Sequence, residues 1–366
     1  MKMKKIIASG FALALLSTLN PQLSTAFAQG SLTPPGAPAP TMKSLDQIDA
    51  KLEKRTPISS LPITITQPGA YYLTSSFDLG TGQDGIFVSA LNVTIDLNGF
   101  TIRSFDSGNT AVGIRIDPML GYMANLTILN GHIVGGVLFS SGSYFGSGFG
   151  YGIYCSGSPR NVRIVGVTVS GCLNDVINIG NNATLVESCT VSTVGGNGIV
   201  ANAVSRCTAY QCGMSGIWGY SVSDSYGDST IPPFAGIHAH IANNSYGSGV
   251  GSGFFAGAGL VADAANNCYG YNNGSPAGGL GVSAGTANNC YGYGDGAAAG
   301  LYATTALNCY GYAAGSASGI YVFDVASGCS GYSSSGTGLY AFIANVCHGS
   351  TSTGTALSAT HNVNSY

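Results

Sequence analysis

The sequence predicts an all-β fold, a parallel β-helix (β-solenoid) of about twelve coils behind a short N-terminal capping helix. Three observations carry this. A cysteine-centred motif recurs, as "NNCYGY" at 266–271 and 288–293, "LNCYGY" at 307–312 and "SGCSGY" at 327–332. A Gly-Ile or Gly-Leu pair recurs in step with it, from Gly85 to Gly338. The composition is 45% apolar and only 7% charged, with 56 glycines among 366 residues. Low charge and abundant glycine can mean disorder, but apolar residues returning at a fixed period mark a stacked repeat.

The elements follow in order. Lys2, Lys4 and Lys5 precede an apolar run that ends in "AFA" at Ala26–Ala28, the pattern of a secretory signal peptide over 1–28. Residues 29–41 contain the Pro/Gly linker "GSLTPPGAPAPT". Residues 42–55 read as the capping helix, with Ser44 and Gln47 placed for a capping box and Leu45, Ile48 and Leu52 on one face. Such a helix would cover the open first coil, as solenoid ends require. Residues 56–366 are then the β-helix. Export predicts a periplasmic or extracellular protein, and no later segment is apolar enough to insert in a membrane.

Aligning each coil on the motif cysteine gives a central column of Phe100, His132, Val167, Cys189, Cys207, Ser225, Ser245, Cys268, Cys290, Cys309, Cys329 and Cys347. The residue before it is Gly or Asn in most coils, the types that tolerate a left-handed backbone. That predicts a sharp bend at the same place in every coil. The Gly-Ile column opens a second short strand, with Val176 as its exception. A third appears in "NVTI" (Asn92–Ile95), "NLTI" (Asn125–Ile128) and "NVRI" (Asn161–Ile164). Two or three short strands per coil, stacked about 4.8 Å apart, make a rod roughly 55–60 Å long.

Alternation points the central column inward and its +1 and +3 neighbours outward. The motif cysteines then form a buried, reduced ladder of small apolar side chains. Disulfides and a metal are the alternatives that ten exported cysteines leave open, although there is no CxxC pair. The outward +1 column runs Thr101, Ile133, Thr168, Thr190, Thr208, and then Tyr226, Tyr246, Tyr269, Tyr291 and Tyr310. Tyr302, Tyr321 and Tyr340 face out on the Gly-Ile strand. Stacked tyrosines either stabilise the sheet or present aromatic surface to sugar rings. On the second reading the candidate carbohydrate-binding residues are Tyr246, Tyr269, Tyr291, Tyr310, Tyr302, Tyr321, Tyr340 and Trp218.

"ITQPGAYYLTSSFDL" followed by "GIFVSALNVTIDLNGFTI" resembles the opening coils of right-handed parallel β-helix proteins of the pectin-lyase-like superfamily, over roughly residues 56–350. The resemblance implies right-handed winding and an asparagine ladder at the bend. It also implies where an enzyme of this type would work, since lyases on this fold use Arg or Lys as base beside carboxylates that hold calcium. No Lys or Arg follows Arg206, so only the first coils qualify. Asp84, Asp106 and Asp117 gather there, with Arg115 facing out and Arg163 on a third coil. Otherwise these are surface ion pairs and turn caps. Asp263 and Asp324, three coils apart and hence about 14 Å, are too distant for a glycosidase pair. His238 and His240 share an outward face near Trp218, without a third metal ligand. No catalytic residue, metal or cofactor is assigned.

After removal of 1–28, nine Lys/Arg face fifteen Asp/Glu, a formal charge of −6. Nucleic acid is therefore a poor partner. The sequence reading is a polysaccharide-binding or structural surface protein, with a lyase or hydrolase site in the N-terminal coils as the alternative. The insertions at Gly136–Gly152 and Gly227–Gly236 carry aromatics and are candidate groove walls.

Overall fold

The computed structural model describes residues 55–117, 124–157, 159–251, 257–274 and 278–366. The signal peptide, linker and capping helix lie outside them, apart from Arg55, which directly precedes the first strand. Residues 55–366 form one compact unit. Among the described residues there is no helix, and hence none able to cross a membrane.

The Gly-Ile strands pair in parallel through one continuous register. Ile63, Ile86, Ile114, Ile153, Ile177, Ile199, Ile217, Ile237, Leu260, Val282, Leu301, Ile320, Leu339 and Leu357 stand one above the next. This is a β-solenoid of fourteen turns, two more than the twelve expected. The extra turns lie outside the glycine pattern because Pro62 and Ala356 stand where every other turn except that of Val176 carries the column glycine. The twelve residues from Ile86 to Leu339 in this column are 0% exposed, so the core runs unbroken along the unit.

One turn shows how sequence makes shape. In Leu301–Leu307, Leu301, Ala303 and Ala306 point inward; the two outward residues between Ala303 and Ala306 mark a corner. Asn308 then turns the chain with φ +51°. In Tyr310–Ala313 the two tyrosines face out while Gly311 and Ala313 face in. The bend recurs from Gly99 to Asn364, always at positive φ, even where the residue is Ser188, Arg206, Asp224 or Val346. The left-handed corner is thus a property of the coil, and Asn or Gly merely adopts it at least cost.

The coil centred on Gly131 departs from the expected alignment. His132 pairs with Thr101 and Thr168, and Ile133 with Ile102 and Val169. His132 is therefore outward and exposed, and Ile133 is buried, the reverse of the expectation. A one-residue slip exchanges the two faces of a strand.

The core thins along the chain. One inward column passes from Ile95, Ile128 and Ile164 through Val186, Val204 and Val222 to Ala242 and then to alanine as far as Ala344. The column after the cysteine passes from Ile102, Ile133, Val169 and Val191 through Ala209 to an unbroken glycine run, Gly227 to Gly349. In the later turns two backbones therefore touch across the interior. A Cβ on Gly292 would lie 2.0 Å from the Gly300 carbonyl oxygen, and one on Gly311 2.1 Å from that of Gly319. In the early turns a glycine of the Gly-Ile column also makes room for a side chain, since a Cβ on Gly113 would strike Ile133 Cγ2 as well as the Gly152 carbonyl oxygen, each at 2.7 Å.

The insertion after Gly135 is an antiparallel hairpin, Gly136–Ser140 with Ser143–Ser147. Its Tyr144 hydroxyl donates to the Gln211 carbonyl at 2.8 Å and lies 2.7 Å from Thr230 Oγ1, tying the hairpin to later turns.

Candidate functional site

The corner and the strand after it build a groove of about 700 Å³ that crosses five turns. Arg206, Asp224, Asn244, Asn267 and Asn289 form one wall, and Tyr226, Tyr246, Tyr269 and Tyr291 the other. The left-handed bend throws each corner side chain outward into line with the next. Asn244 Nδ2 donates to Asp224 Oδ1 at 3.1 Å; Asn267 and Asn289 each donate to the preceding asparagine at 3.2 Å. An amide carries two N–H donors and two acceptor lone pairs, and the ladder uses one of each. Every interior rung thus keeps a donor and an acceptor for a ligand. The expected asparagine ladder is present here, and it recurs at Asn92–Asn125–Asn161 and Asn243–Asn266–Asn288.

Tyr226, Tyr246, Tyr269, Tyr291 and Tyr310 stack in order, with ring centroids 5.2, 4.7, 4.7 and 5.1 Å apart. For Tyr246–Tyr269 and Tyr269–Tyr291 the planes differ by 6° and 3°. Parallel rings need about 3.5 Å between their planes. Centroids 4.7 Å apart then leave the ring normals within roughly 40° of the line joining them. Inside the ladder, ring faces cover one another and leave ring edges toward the groove. Partial burial, followed by Asp228, pushes the Tyr226 phenol up to about 12. Burial also raises Tyr246, Tyr269 and Tyr291. The phenols stay neutral donors throughout the physiological range.

Two further ladders flank this one. Tyr271, Tyr293, Tyr312 and Tyr332 stack at 4.9–5.2 Å. On the Gly-Ile face Tyr302, Tyr321 and Tyr340 stack at 5.6 and 4.6 Å, with Phe323 set edge-on against the first two. Higher on that face, Trp218 lies parallel to His238 at 5.9 Å, and Tyr220 lies against His240 at 4.7 Å. His240 Nδ1 is 2.6 Å from Asp263 Oδ2. The eight tyrosine and tryptophan candidates therefore fall on two faces rather than at one site. Tyr220 was passed over in the sequence although "IWGY" places it two residues after Trp218, on the same side of the strand.

The N-terminal acids are occupied by structural partners. Asp84 accepts the Val112 N–H at 2.8 Å and takes both ends of the Arg115 guanidinium, beside a second pocket of about 500 Å³. That hydrogen bond raises the Arg115 pKa further. Asp117 accepts from Ser89 at 3.0 Å. Asp106 is 3% exposed and accepts the Gly108 N–H, with its Oδ2 unpartnered. Arg163 is not part of this group: it pairs at 2.7 Å with Glu187, which also holds Arg206. The Arg163 hydrogen bond, foremost, holds the Glu187 carboxyl below its usual range.

All ten cysteines are buried and unbridged. Cys290 Sγ donates to the Asn288 and Ala265 carbonyls at 3.3 and 3.4 Å, and Cys309 Sγ accepts the Cys290 N–H at 3.4 Å. Burial pushes Cys172 up to about 12 and raises Cys212 as well. Among the described residues no three His, Cys, Asp or Glu side chains gather so as to hold a metal ion. Compared with family models, curated proteins and solved structures, the chain finds no match.

Proposed function

We propose that this chain is an exported β-solenoid that holds an extended, uncharged polysaccharide along the groove between the asparagine corner and the tyrosine ladder, without transforming it. One observation carries the reading: three successive turns, at Asn244, Asn267 and Asn289, set amides with hydrogen-bonding capacity to spare beside neutral phenols. A polymer of hydroxyl groups satisfies such an array turn after turn. The only cation in the groove, Arg206, is already held by Glu187, which disfavours an acidic polymer. The resemblance to pectin-lyase-like β-helices supports a polysaccharide ligand, and the N-terminal "AFA" pattern supports export.

A purely structural role is the second reading. It is favoured by ring faces that cover one another, because such stacking stabilises the sheet whatever binds. An enzymatic site has less support, since Asp84 is engaged by Arg115 and Val112. Incubation of purified protein with neutral glucans, mannans and xylans tests the proposal. Retardation in polysaccharide-containing native gels, with no new reducing ends released, is the expected result. Absence of retardation by every polymer would leave the structural reading.

A further inference from the structure

We infer that Trp218 and Tyr220 form a second saccharide subsite, one that binds by stacking on exposed ring faces. This deepens the polysaccharide reading and rests on it, but it uses a different face of the solenoid. The argument starts from where ladders end. A ring inside a ladder has a ring against each face; a ring at the head of one has a ring against one face only. In the register, Trp218 stands over Val200 and under His238. Tyr220 occupies the level of Asn202 and lies against His240. Among the described residues His238 and His240 are their ring partners, each on one side only. Trp218 is 44% and Tyr220 51% exposed.

Two ladders thus begin on the same strand, Ile217–Ser223, with rings about 6.5–7 Å apart on its outward side. Val200, itself only 6% exposed, stands under the root of Trp218, and the exposed part of each ring projects past the preceding turn to form a step. Behind the step, the contact between His240 and Asp263 holds its imidazole against Tyr220.

The chemistry selects the occupant. Flat apolar faces suit the C–H face of a pyranose, and the amide of Asn202, on the preceding turn, stands by for its hydroxyls. An anion finds little counter-charge: no Lys or Arg follows Arg206, and Arg206, which closes the preceding turn, is held by Glu187. Asp263, the carboxylate behind the step, is already engaged by His240, which argues against a quaternary ammonium group.

Trp218 is the only tryptophan in the chain, so its fluorescence reports this site alone. The experiment titrates the full chain with cellohexaose, mannohexaose and maltohexaose, with tetramethylammonium chloride as the cationic comparison. At least one hexasaccharide should shift the emission to the blue and protect it from acrylamide quenching. Tyr220→Ser, with an unchanged circular dichroism spectrum, should weaken that response about three- to tenfold. Emission that answers to no hexasaccharide, answers only to tetramethylammonium, or is unaffected by Tyr220→Ser would overturn the inference. Gel retardation of a Tyr246/Tyr269/Tyr291→Thr variant separates the two sites. If retardation is lost there while Trp218 stays silent, the groove reading stands and this one falls. If Trp218 responds and that variant is retarded like the parent, the groove reading falls and this one stands.

Discussion

Val346 shows what a single residue contributes to this solenoid. It holds φ +52° at the corner, with its side chain 61% exposed. A β-branched residue there carries the left-handed penalty with little packing in return. Val346→Asn should raise stability by about 1 kcal/mol, read as an increased midpoint in chemical denaturation; an unchanged or lower midpoint would mean that the corner does not set the cost. His238 supplies a second test. Partial desolvation, reinforced by His240 and opposed by Asp263, lowers its pKa below the ordinary 6.5 although its side chain stays in contact with solvent. A lowered folded-state value means that the unfolded chain binds the proton more readily. The associated stability is therefore present above pH about 6.5 and is lost as pH falls through the folded value. Because Trp218 lies parallel to His238, its emission should titrate with a midpoint below 6.5, and a midpoint above that value would contradict the burial argument.

Strands explain which parts of this protein are legible in its sequence. The cysteine column could be read because Asn or Gly, Cys, Tyr and Gly recur together. The coil at His132 departs from the pattern because Asn130 and Gly131 adjoin, and both tolerate a left-handed backbone; the bend falls on Asn130, at φ +53°. Outward tyrosine columns follow from alternation alone, but ring tilt depends on side-chain torsions that no periodicity records. That is why the ladders could be located while the covering of their faces could not. The glycine after each motif tyrosine has a strict role that composition did not show. Gly292→Ala places a methyl 2.0 Å from a backbone oxygen. Neither neighbour can move without parting two paired strands, so the change should cost about 1–3 kcal/mol or more. A denaturation midpoint within error of the parent would show that the interior is wider than described.

At the scale of the whole molecule, fourteen stacked turns at about 4.8 Å per step make the described unit roughly 60–65 Å long, slightly more than twelve coils would. Its narrowing interior divides it into an early part filled by isoleucine and valine and a later part closed by alanine, cysteine and glycine. The groove begins where valine still fills one column, at Val204 and Val222, and runs into the alanine- and glycine-lined turns, where slim coils keep tyrosines and asparagines in line. Catalysis by family analogy pointed to the early coils, yet the acids there cap turns and hold arginines. The most direct test of the central claim is gel retardation by a neutral polysaccharide, comparing the parent with Tyr246/Tyr269/Tyr291→Thr. Truncating the ladder should cost roughly 0.2–1 kcal/mol per lost cross-strand pair, leaving a folded protein to compare. The account predicts retardation of the parent and its loss in the folded variant; equal retardation of the two, or none for the parent, would contradict it.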